Sequence, residues 1–152
     1  MKALELKIPP LLLVLITMGL MWLTVRIDPS GEPLTVLRFS LFMLFSLLGA
    51  ALASLGLIAF RRAKTTTQPY PDKTTALVTG GIYRYTRNPM YLGFVSFLIG
   101  FTFYLDSVFA LCWVVCFVLY LTRLQIIPEE RALQDKFPDA FNRYKQGTRR
   151  WI

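Results

Sequence analysis

The sequence predicts an all-helical membrane protein: four transmembrane helices, the last two a short helical hairpin, then a helical tail at the cytoplasmic interface. Three observations carry this. Hydrophobic residues make up 55% of the 152-residue chain and its mean hydropathy is +0.49, too apolar for an ordinary soluble domain. Four runs carry no charge, Pro9 to Val25, Phe39 to Phe60, Pro89 to Leu105 and Ser107 to Thr122, each near the roughly 17 to 25 residues of a spanning helix. Basic residues gather at the ends of these runs, predominantly on one side.

The first run follows Lys2 and Lys7. It is long for a signal peptide, and no small-residue cleavage site follows Trp22, so a retained anchor is expected. The second run holds Ser46, Gly49, Ala50, Ala53, Ser54 and Gly56, small residues that let helices approach closely in lipid. A long polar connection, "RRAKTTTQPYPDKTTALVTGGIYRYTRNP", leads to the third run. Within it Leu77, Val78, Ile82, Tyr83 and Tyr85 call for a surface to pack on, and Gly80-Gly81 permits an unusual turn. Asn88 suits an N-cap and Pro89 the first turn of the third helix. Only Asp106 separates the third run from the fourth, which predicts a tight hairpin.

Pro128, Glu129 and Glu130 then read as a helix start, or a restart at a kink, with carboxylates near the positive dipole end. Leu133, Phe137, Phe141 and Tyr144 recur at helical spacing, which lays the tail against membrane or bundle, and Pro138 divides it into two short helices. The chain is one integral domain in two parts, a two-helix scaffold over 1–60 and a loop, hairpin and tail over 61–152.

Charge sets the orientation. Lys2 and Lys7 precede the first run; Arg61, Arg62, Lys64, Lys73, Arg84 and Arg87 lie between the second and third; the tail carries Arg131, Lys136, Arg143, Lys145, Arg149 and Arg150. Only Arg26 and Arg38 fall in the first loop, so the positive-inside rule puts both termini and the second loop in the cytoplasm; a prokaryotic inner membrane is the expected location. The net charge of +8 comes from residues that flank spans, and it suits anionic lipid headgroups rather than nucleic acid. The absence of histidine excludes imidazole bases, His-metal sites and His-ligated haem. Cys112 and Cys116, four apart with no metal-ligand partner nearby, read as packing residues.

A closed antiparallel hairpin brings Tyr83, Tyr85, Arg87, Asn88 and Tyr91 to the same depth as Arg123, Gln125, Glu129 and Glu130. The result is a polar pocket with carboxylate, guanidinium and aromatic walls. Residue types alone fit interfacial anchoring as well as function.

"LVTGGIYRYTRNPMYLG", followed one hairpin later by "PEERALQDKFPDAFNRYK", resembles the isoprenylcysteine carboxyl methyltransferase family and, more loosely, the wider group of membrane phospholipid methyltransferases. The ordered combination covers about half the chain, from Gln68 to Tyr144. The resemblance implies methyl transfer from S-adenosylmethionine to a lipid-borne group; a short four-helix chain leaves little structure for a protein substrate, so a lipophilic small molecule or lipid entering sideways between helices is expected. It places the cofactor against Gln68, Thr75, Ala76, Leu77, Val78, Tyr83, Asn88, Pro89, Met90, Tyr91 and Glu129, with no metal. A glutamate suits the ammonium group or ribose hydroxyls, and tyrosine faces suit a sulfonium.

Two positions depart from the family pattern. Asn88 stands where the family's Arg-His-Pro box has histidine, and it cannot titrate. A substrate-side arginine falls at Gln125, with Arg123 two residues earlier and about 200° around a helix. These two are the candidate substrate contacts. Arg87 and Glu130 are the candidate catalytic pair, Glu130 accepting a proton or holding the acceptor. A sterol-type reductase using NADPH and a non-enzymatic membrane protein are the competing expectations.

Overall fold

The computed structural model describes residues 6–27, 34–65 and 75–152, and among these every regular element is helical. Helix α1 spans Pro10–Ile27, α2 Val36–Arg62 and α3 Pro89–Leu105, with one 3-10 turn over Gly81–Arg84 before α3. Helix α4 spans Ala110–Tyr120, continues through a π-helical segment Leu121–Ile126 into α5 (Ile127–Lys136), and α6 follows at Pro138–Gly147. Among the described residues three helices are long and apolar enough to cross a membrane: Pro10–Ile27, Val36–Arg62 and the continuous Ala110–Lys136; Pro89–Leu105 is apolar but shorter. Exposed leucines and valines on their outer faces, such as Leu15, Leu44, Leu47, Val115 and Leu119, require lipid as the solvent. This is a multi-pass membrane protein.

Helix α3 is the centre. It runs antiparallel to α2, its most extensive partner, and packs on α1 and α4. The α2–α3 contact is made backbone to backbone. A Cβ on Gly49 would stand 2.5 Å from the Gly93 carbonyl oxygen, and one on Gly93 would stand 2.6 Å from that of Gly49. Of the small residues expected to serve close packing, Gly49 and Gly56 do so, whereas Ala50 and Ser54 are exposed. Met21, Leu98, Phe117, Leu121 and Ile126 form the buried apolar core on the α1–α4 side.

The hairpin turns at Asp106, which is in the left-handed region (φ 53°) and whose carboxylate pairs with Arg38 at 3.1 Å. Gly81 adopts φ 63° in the turn before α3, so a glycine is needed there. Pro138 does begin a separate helix, after an irregular Phe137.

Three expectations are corrected. The fourth helix does not stop near Thr122: α4 and α5 form one continuous helix, with Pro128, Glu129 and Glu130 in the first turn of α5 as the expected restart places them. It runs on, because the Ile127 N–H donates to the Thr122 carbonyl five residues back in the π turn. Proline has no N–H for the Leu124 carbonyl four residues back, and that oxygen accepts instead from the Leu6 N–H at 3.1 Å. Asn88 occupies the N-cap position without capping, since its side chain is engaged elsewhere. Cys112 and Cys116 lie on the exposed face of α4 rather than in the packing.

Candidate functional site

The end of the bundle opposite Asp106 collects four pieces of chain: the Gly81–Asn88 turn, the first turn of α3, the π segment with the start of α5, and the residues after α6. Close packing of α3 on α2 and the long α4–α5 helix set their depth. Two adjacent carboxylates then point into different surroundings.

Glu129 lines a cavity of about 590 Å³. Its Oε1 accepts from the Tyr91 hydroxyl at 2.6 Å and from the Gln125 side-chain amide at 2.9 Å. Its Oε2 accepts from none of the described residues. The other walls are mostly apolar, from Met90 and Phe94 on α3, Ala53 and Leu57 on α2, and Pro9 and Pro10 at the start of α1; Lys7 is also on the lining. The bond from Leu6 to Leu124 holds that N-terminal segment against the cavity.

Glu130 faces the other way and has both oxygens taken. Arg87 donates to Oε1 from Nη2 at 2.8 Å and Nε at 3.2 Å. Arg150 donates to Oε1 at 3.1 Å and to Oε2 at 2.6 Å. Arg87 also donates to the Thr148 carbonyl, and the Asn88 side-chain amide donates to that of Arg150 at 2.9 Å. Tyr83 is buried edge-on against Phe60, and its carbonyl accepts from the Tyr144 hydroxyl at 2.7 Å. Burial raises both phenols above their ordinary value, so each is a neutral hydroxyl at pH 7.

Of the residues singled out from sequence, Met90, Tyr91, Gln125 and Glu129 meet on the cavity. Arg87, Asn88 and Glu130 stand together beside it, with Pro89 buried between. Ala76, Leu77 and Val78 are half-buried off the cavity lining. Thr75 is exposed and bonded to Thr65 and Lys64. Tyr85, expected to pack, is 77% exposed. Arg123 is exposed, while Gln125 is buried, as the rotation between them requires. Gln68 lies outside the described residues. Sequence reasoning missed the cavity wall from Lys7 to Leu11 and the role of Thr148 to Trp151. The missing N–H of Pro128 is a signal for the first; the only signal for the second is the Thr-Arg-Arg-Trp run directly after the helix stop at Gly147.

The family model for phospholipid methyltransferases matches residues 37–140. An uncharacterized protein of Haemophilus influenzae (strain ATCC 51907 / DSM 11121 / KW20 / Rd) is 40% identical over 63 residues, which is 41% of this chain and the whole of that protein. No solved structure matches.

Proposed function

The chain belongs to the phospholipid methyltransferase family, one of the membrane methyltransferases related to the isoprenylcysteine carboxyl methyltransferases, and from that premise we propose that it methylates a lipophilic acceptor with S-adenosylmethionine. The observation that carries this is Glu129. One of its oxygens is satisfied by two neutral donors and the other is left for a ligand, at the polar end of an otherwise apolar cavity.

The residues fit the cofactor. A buried carboxylate suits its ammonium group or ribose hydroxyls, and the faces of Tyr91 and Phe94 suit a sulfonium cation. The cavity volume lies in the range of small-molecule sites, roughly 300 to 1,000 Å³. When bound, the cofactor supplies an electrophilic methyl group, so orientation and exclusion of water are what the protein must provide. Apolar walls from α1, α2 and α3 exclude water. The Arg87–Glu130 pair holds the turn from which Met90 and Tyr91 project. If the acceptor must lose a proton, Glu129 is better placed than Glu130, because two arginines already occupy both oxygens of Glu130. Gln125 orients Glu129, whereas Arg123 reaches outward and suits a lipid headgroup.

The placement in the membrane completes the proposal. Four spans, with α3 as the short central one, put the site end and both termini in the cytoplasm, as the basic residues at that end favour. The acceptor then enters from lipid between α1 and α2.

Calorimetric titration of the purified protein in detergent with S-adenosylmethionine, S-adenosylhomocysteine and NADPH tests the proposal. Binding of the first two, followed by transfer of a labelled methyl group into a lipid extract, is the expected result. Binding of NADPH alone would assign the site to a reductase, and silence from all three in folded protein would leave it without a nucleotide role.

A further inference from the structure

Thr148 to Ile152 follow α6 and lie beyond the residues matched by the family. A segment that follows the last helix frays unless something ties it down. Here the tie is to the polar cluster itself. The Arg149 carbonyl accepts from the Arg87 backbone N–H at 3.0 Å. The Arg150 carbonyl accepts from the Asn88 amide at 2.9 Å and from the Thr86 hydroxyl at 3.4 Å, while its guanidinium grips Glu130. Trp151 packs against the apolar core and donates from Nε1 to the Thr122 hydroxyl at 3.2 Å, inside the π segment.

These contacts join the turn before α3 to the start of α5. One arginine would balance the charge of Glu130; the tail brings a second. Asn88 gives up its N-cap bond to reach a tail carbonyl, and the next two residues but one along the chain, Met90 and Tyr91, line the cavity. Glu130 adjoins Glu129. Both attachments of Arg150 therefore end one or two residues from groups that face a ligand.

We propose that Thr148 to Ile152 form a strap that positions the binding site, with Arg150 as its positioning residue: its guanidinium sets Glu130 and Arg87, and its carbonyl sets Asn88. This rests on the methyltransferase assignment above. The full chain with Trp22→Phe and Trp113→Phe leaves Trp151 as the sole tryptophan and a reporter of the strap. In that background, Trp151 emission, acrylamide quenching and S-adenosylhomocysteine affinity are measured for Arg150→Met, Arg150→Lys and a charge-matched control, Arg143→Met, on the exposed face of α6.

Arg150→Met is expected to red-shift Trp151, raise its quenching and weaken S-adenosylhomocysteine about tenfold, since both charge-assisted bonds that set Glu130 from the strap are lost. Arg150→Lys recovers part of the affinity, and Arg143→Met changes neither readout. Release of Trp151 with affinity unchanged would reduce the strap to a structural tail and overturn the proposal, as would an Arg150→Met protein with both readouts unmoved. If the background protein itself does not bind S-adenosylhomocysteine, the methyltransferase assignment fails and the positioning role falls with it. Binding by the background that Arg150→Met leaves intact removes the strap alone.

Discussion

Replacing Glu129 by glutamine isolates the atom on which the proposed function turns. Both protein donors, the Tyr91 hydroxyl and the Gln125 amide, meet the same oxygen, Oε1. A glutamine carbonyl in that position keeps both bonds at almost unchanged volume, and its amide nitrogen replaces Oε2. What disappears is one acceptor oxygen facing the cavity, which carries the charge when it holds a cationic ligand. Hydrogen bonds to charged groups contribute about 1.5 to 3 kcal/mol, and each 1.4 kcal/mol is about tenfold in affinity. Glu129→Gln should therefore weaken S-adenosylhomocysteine by roughly tenfold to a hundredfold in calorimetry, with the thermal transition little changed. Glu129→Ala confounds the comparison, because it also strips the partner from two buried donors. A folded Glu129→Gln protein that binds within about twofold of the parent would refute the idea that Oε2 is the ligand's anchor.

Gly93→Ala places a methyl group 2.6 Å from the Gly49 carbonyl oxygen, so α2 and α3 must separate; overpacking of this kind costs about 1 to 3 kcal/mol, read as a lowered melting temperature in detergent. Pro128→Ala restores an N–H that competes with Leu6 for the Leu124 carbonyl, and hydrogen exchange at the Leu6 amide should become faster. Tyr83 and Tyr144 have raised folded-state pKa values through burial. Their contribution to stability is therefore complete below about pH 10, the ordinary tyrosine value, and declines as pH rises beyond it. Melting temperature should fall above that point, and less steeply in Tyr144→Phe. Equal slopes in the two proteins would contradict the burial of that hydroxyl.

Much of the architecture is legible in the linear chain because lipid imposes simple demands. Uncharged runs near spanning length had to be helices, Asp106 could only be a turn between two such runs, and Pro138 had to end one helix and begin another. The Arg87–Glu130 pair was legible too, since an antiparallel hairpin equalises the depth of its two ends. At Pro128 local rules left a choice between a new helix and a restart within one. A missing N–H looks like a boundary in sequence, but here a π turn and the N–H of Leu6 absorb the loss and the helix continues.

Composition, periodicity and covalent constraint are enough to give the class of protein, its helices, the absence of imidazole chemistry and the collection of ionisable residues at one end. Long-range packing is what gives neighbouring glutamates opposite surroundings, one facing a cavity with an oxygen to spare and one clamped by two arginines. The same packing brings the segment after α6 to the site. Side-chain direction depends on helix rotation and on long-range backbone partners, such as Arg150 for Asn88 sixty-two positions earlier, and no local pattern encodes either.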